Sequence, residues 1–188
     1  MATLLNESSG YLPAPTGTHP ARCIKVIDLG TQETPFGKKA QFFFEWELGE
    51  FMDDGRPFTV GRFYTASLNS KAALREDLES WRGALSKANF PFDVTQMIRQ
   101  ACLITVKHAE TEDSLRARIA SIAALPKGME APAKHNDALV FTFDSPDEQV
   151  LDKLPDWMTN KIRSAPEWGR KDLEPETESE FDDEIPVV

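Results

Sequence analysis

Cationic and aromatic side chains are interleaved through the first half of the chain. Arg22 and Lys25 fall in one β-branched run, and Phe36, Lys38 and Lys39 surround a turn. Phe43 lies in a second apolar run, and Arg62 and Tyr64 in a third, with Arg56 and Phe63 close by. Lys107 and Arg118 belong to two later runs. A single-stranded nucleic acid is held by this mixture, because cations meet its phosphates and flat rings stack on its bases whatever the sequence.

The aromatics divide by strand parity. From Ala40 to Leu48, Phe42, Phe44, Trp46 and Leu48 alternate with Gln41, Phe43, Glu45 and Glu47. Phe43 therefore stands among polar neighbours. Such a ring is either a stacking platform or a contact for another segment of the chain, and the pattern leaves both open. Phe63 and Tyr64 are adjacent, so one points inward and one outward. Tyr64 shares parity with Arg62 and is the one chosen for the surface, with a tyrosine at the core edge as the alternative. Taken alone, Lys38-Lys39 reads as a solvated turn pair.

Reaction chemistry is poorly represented. The chain has no phosphate-binding glycine loop, no His-Glu-x-x-His and no Gly-x-Ser-x-Gly. Glu45 with Glu47, or Asp53 with Asp54, could hold Mg²⁺, but they read as a solvated strand face and a turn. His19, His108 and His135 are far apart, and Cys23 and Cys102 are expected as small buried thiols. Two cysteines exclude a disulfide scaffold. The expectation is no enzyme, with no catalytic residue, no metal and no cofactor.

Five strands and a helix must position the binding set. The strand signals are Arg22–Leu29, Ala40–Leu48, Phe58–Leu68, Ala101–Lys107 and Arg118–Leu125. A turn with Gly55 joins the second strand to the third. The helix spans Lys71–Arg82, with Ser70 as N-cap and Gly83 after its end. Leu74, Leu78 and Trp81 make its apolar face. The order β-β-β-α-β-β is that of a mainly β, five-stranded OB-fold barrel, whose helix plugs one end. An unrelated α+β sheet shares the order. The organisation reads as an extended lead-in over 1–20 and an OB-fold core over 21–128. An appendage over 129–171 follows, with a short strand in Ala138–Phe143 and a helical patch over Asp147–Ser164, broken at Pro155. Last comes a disordered acidic tail over 172–188.

The tail concentrates the charge. The formal net charge is −10, yet Asp172–Val188 holds 8 acidic groups and no basic one. Without it, 23 acidic and 21 basic groups remain, a balance of −2. A tethered polyanion has a high effective concentration at any cationic groove on the same chain. No apolar run approaches the roughly 20 residues of a membrane span. The first residues lack the pattern of a secretory signal, so the expected home is a reducing cytoplasm.

Two resemblances give these features a context. The end, Glu180-Phe-Asp-Asp-Glu-Ile-Pro-Val-Val188, resembles the tip of bacterial single-stranded DNA-binding proteins, Asp-Phe-Asp-Asp-Asp-Ile-Pro-Phe. Phe181, Asp182, Asp183, Ile185 and Pro186 are identical, and Glu180 and Glu184 keep the charge. Val187 stands where that family ends in Phe, and Val188 extends the chain. The resemblance implies that Phe181, Asp182, Asp183, Glu184, Ile185 and Pro186 recruit replication or recombination proteins.

The second resemblance rests on Ile27–Gln32, Tyr64–Ser70, Leu74–Gly83 with its Leu-Glu-Ser-Trp-Arg-Gly stretch, and Ser164–Trp168. Over residues 11–168 the chain is similar to the OB-fold single-stranded DNA-binding proteins of tailed bacteriophages. That implies sequence-independent DNA binding in phage replication or recombination, in the cytoplasm of an infected bacterium. The competing reading is a host-takeover module whose acidic tail acts as a mimic, without DNA binding.

Overall fold

The computed structural model describes residues 12–169. It opens with three strands, β1 (Gly17–Thr34), β2 (Gly37–Phe51) and β3 (Pro57–Thr65). Gly37 and Gly55 supply the positive φ, +91° and +84°, that their two hairpin turns require. The helix α1 (Ala73–Arg82) follows, then β4 (Ala101–Thr111) and β5 (Ser114–Ala123). The remainder is a short strand β6 (Leu139–Phe141), one helical turn α2 (Glu148–Leu151) and the helix α3 (Asp156–Ser164).

The protein is mainly β. Its sheet runs β3-β2-β1-β4-β5 with antiparallel neighbours, and β6 joins β1 in parallel. The short strand expected in the appendage thus joins the five as a sixth member of the sheet. The sheet is open: β3 and β5 are its edges. A single strand serves three partners because it is long and bent. Gly17–Arg22 pairs with β4, Ala21–Thr34 with β2 and Lys25–Ile27 with β6. Irregularities at Cys23/Lys25 and Asp28/Gly30 bend β1 between these duties.

Several boundaries differ from expectation. Gly17–Pro20, read as lead-in, pairs with Leu103–Val106. β5 starts at Ser114 instead of Arg118, because Thr111 faces Ser114 across a two-residue turn and its Oγ1 donates to the Ser114 carbonyl (2.8 Å). The helix starts at Ala73, and its N-cap position is Ala72, which has no side-chain cap, instead of Ser70. Gly83 ends it as expected, at φ +99°. The acidic tail lies outside the described residues.

Two hydrophobic cores form on opposite faces of the sheet. The inner core gathers Cys23, Val26, Phe44, Trp46, Leu48 and Ile104 beneath α1. Leu74, Leu78 and Trp81 supply the helix face, as their spacing predicts. Trp81 packs on Trp46 at 5.9 Å, and its Nε1 donates to the Ala101 carbonyl (2.8 Å). Cys23 and Cys102 are buried free thiols, both held above the usual thiol range by burial. The outer core forms where β6, α2 and α3 cover β1 and β2, burying Ile27, Leu29, Phe43, Phe141, Met158 and Ile162.

The loop before β6 is tied down by charge. Glu47 is fully buried and accepts from the backbone N–H groups of His135 (3.2 Å) and Asn136 (2.8 Å) and from Asn136 Nδ2 (2.9 Å). It is not part of a solvated strand face, as its parity suggested; a buried carboxylate needs such donors. No helix among the described residues is long and apolar enough to cross a membrane.

Candidate nucleic-acid interface

The sequence-derived binding set is scattered by the fold. Arg22 is committed to structure: it donates to the carbonyls of Arg99 (2.8 Å) and Pro132 (2.9 and 3.0 Å). Lys25 forms an ion pair with Glu45. Phe36 stands at the tip of the β1–β2 turn, 88% exposed, with Lys38 pairing Glu33 at 3.5 Å and Lys39 exposed. Lys107 and Arg118 are exposed and face each other across β4 and β5.

Phe43 and Tyr64 are not surface platforms. Phe43 is buried in the outer core, against Phe63 (4.9 Å) and the appendage residue Trp157 (5.7 Å). Of the two readings its parity allowed, packing against another segment is the one found. Its ring lies over Gly61, where any Cβ would meet it. Tyr64 is 3% exposed and belongs to the inner core. Its hydroxyl donates to Asp77 Oδ2 (2.6 Å), the same oxygen that Arg62 Nη1 reaches at 2.9 Å. Burial, with the neighbouring Asp77 carboxylate, raises the Tyr64 phenol far above its usual range.

The register explains the reversal. Phe42 faces Tyr64 and Phe43 faces Phe63 across the β2–β3 pair. Directly opposite residues share a face. Tyr64 does share parity with Arg62, but that parity belongs to the inner face of Phe42 and Phe44. Arg62 tolerates the position by ending at the rim, on Asp77.

A different group comes together instead. Between the open edges of β3 and β5 runs a cleft of about 850 Å³. Arg62 and Phe63 line it from β3, Arg116 and Arg118 from β5, and Trp157 from α3. Phe63 and Trp157 are each 45% exposed and pack together at 5.8 Å. With Phe43 beneath, they make a three-ring cluster whose outer two members keep free surface. Among the described residues no carboxylate pairs with Arg116 or Arg118. Glu45, which also lines the cleft, is paired with Lys25.

No protein-family model matches the chain, and no curated protein does. The cleft must therefore be read from its own chemistry. It offers two guanidinium groups without a carboxylate partner among the described residues, whose planar forks suit phosphate, beside two accessible aromatic rings. Among the described residues no group of three His, Cys, Asp or Glu side chains converges to hold a metal ion.

Sequence reasoning counted Arg62, Phe63 and Arg118 in the binding mixture but turned Tyr64 outward in place of Phe63, and it missed Arg116 and Trp157. Arg116 was within reach, because it shares the parity of Arg118 on one strand. Trp157 carried no local signal, since only the docking of α3 brings it to β3.

Proposed function

We propose that the protein binds single-stranded DNA, without regard to sequence, in the cleft between β3 and β5. The observation that carries this reading is the exposed Phe63–Trp157 pair standing beside Arg116 and Arg118. Rings of this kind stack on any base, and cations beside them take the phosphates. Lys107, opposite Arg118, extends the cationic side. The β-β-β-α-β-β order, with α1 under the inner core and the two edge strands facing one cleft, supports an OB-type barrel whose seam is the binding site.

The tail resemblance and the four similar runs support a role in phage replication or recombination, in the cytoplasm of an infected bacterium. The segment 172–188 then competes with DNA for the cleft. Its Phe181, Asp182, Asp183, Glu184, Ile185 and Pro186 recruit partner proteins once DNA displaces it.

Fluorescence anisotropy with a labelled oligonucleotide, across a salt series, tests the reading. Neutralising about 3–5 phosphates gives a log–log salt slope of about −2 to −3.5 for a single strand. A flat response, or equal affinity for duplex, rejects the cleft. Partner capture through the tail without any DNA affinity supports the interaction-module reading in its place.

A further inference from the structure

The cleft has a smaller depression on either side of it. Glu45 and Thr59 line it and also line a neighbouring hollow of about 540 Å³ that ends at Lys153. At the other side, Phe63 lines it and also lines a hollow of about 450 Å³ that contains Lys71. The three depressions thus lie side by side and share lining residues. Their common floor is the outer face of β3, where Thr59, Gly61, Phe63 and Thr65 are all exposed. Alternation puts these four on one face, and six residue steps at about 3.3 Å make a run of about 20 Å.

We infer that single-stranded DNA follows this face of β3 from end to end, with Lys153 holding a phosphate at one end and Lys71 at the other. The inference rests on the DNA-binding reading and adds its path, its two end contacts and its extent. Both lysines are exposed, and among the described residues neither has a carboxylate partner. They come from different elements, α2's end and the approach to α1, so nothing but the groove relates them. On this floor two small threonines flank the ring cluster, which suits the path. Gly61 is covered by the Phe43 ring, so Thr59 and Thr65 are where a backbone lies close, while Phe63 stands up between neighbouring bases. A run of about 20 Å accommodates roughly four nucleotides, the low end of the range for one such domain.

Salt-dependent binding of labelled oligo-dT by the full-length chain tests the path. The variants are Lys71→Gln, Lys153→Gln, Arg118→Gln and, as a charge-matched control, Lys127→Gln in the exposed loop after β5. All four positions are exposed, and thermal melts check that each variant folds. Lys71→Gln and Lys153→Gln should each weaken binding several-fold and reduce the magnitude of the salt slope by about 0.7, the loss of one phosphate contact on a single strand. Lys127→Gln should leave both unchanged. If Arg118→Gln weakens binding but either end lysine can be replaced without effect, the end-to-end path is wrong and the central cleft stands. If the wild-type chain shows no salt-sensitive binding, the DNA-binding reading itself falls and takes the path with it.

Discussion

Arg62 and Tyr64 on the inner face of β3 and Phe63 on its outer face are neighbours in sequence with opposite fates. Inside, a guanidinium and a phenol converge on one carboxylate oxygen of Asp77 and close the rim of the core. Outside, a ring of similar size keeps 45% of its surface beside two arginines that, among the described residues, have no carboxylate partner. Residue type is nearly the same on the two faces. What separates structure from function is whether the polar atoms are already satisfied. Tyr64 has given its only hydroxyl to Asp77, whereas Arg116 and Arg118 have no carboxylate partner among the described residues, and Arg116 meets only the Ser114 hydroxyl at 3.4 Å.

The inner face should break first. Trp81→Ala removes the helix side chain that packs on Trp46 and bonds Ala101, and should cost about 3–5 kcal/mol, read as a fall in melting temperature or denaturant midpoint. An unchanged melt would place α1 outside the core. Tyr64→Phe keeps the ring but leaves Asp77 short of a donor, at a cost of about 0.5–1.5 kcal/mol, with DNA affinity unaffected. The outer face should respond the other way round. Phe63→Ala and Trp157→Ala should each weaken single-strand binding by about 1–3 kcal/mol in titrations, while the melt changes less than it does for Trp81→Ala. If Tyr64→Phe harms binding more than Phe63→Ala, the two faces have been assigned wrongly.

This contrast also marks how far the sequence could be read. The helix face of Leu74, Leu78 and Trp81 and the strand order were legible, because periodicity and turn residues act locally. The alternation in β2 was legible too, and Phe43 does lie opposite the Phe44 face. Which face of β3 is the inner one is not a local property. It depends on hairpin register, and here a signal existed. The turn Met52–Arg56 has five residues, so even-numbered residues pair with even-numbered ones and Tyr64 falls on the face of Phe42 and Phe44; the register shift between Glu47 and Phe51 keeps that parity and sets Tyr64 opposite Phe42. Glu47 and Trp157 carried no such signal. The first is buried by a loop and the second is carried to the cleft by α3, both far along the chain.

The cationic cleft can also be sharpened against the acidic tail. Deleting 172–188 moves the formal net charge from −10 to −2. Affinity for single strands should rise a few-fold, most at low salt, where screening between tail and cleft is weakest. Changing Phe181, Ile185 and Pro186 to Ser while keeping every acid should leave DNA affinity at the full-length value and abolish partner capture. If that variant captures partners normally, the tip acts through charge alone.

The smallest effect belongs to the covered part of the outer face, where the C-terminal segment meets β1. Glu167 accepts from Thr31 N (3.0 Å) and Thr31 Oγ1 (2.6 Å), and Asp28 accepts from Gly30 N (2.9 Å). Burial holds the Asp28 carboxyl above the usual range, and the charges of Glu167 and Asp144 add to the shift, while N–H donors from Gly30 and Phe143 oppose it. A carboxyl whose folded pKa lies above its unfolded value stabilises the fold below the unfolded value, and that contribution is lost as pH rises through the folded one. At pH 7 the fold therefore carries a charge it disfavours. Asp28→Asn removes the charge and keeps an oxygen for Gly30. The variant should melt slightly higher than wild type at pH 7, and the gap should close as pH falls towards about 3.9, the ordinary aspartate value. A lower melt at pH 7 would mean that the turn at Gly30 needs the full carboxylate. The seam between β1 and the C-terminal segment would then be held by charge, in the manner of Arg62 and Asp77, instead of merely tolerating it.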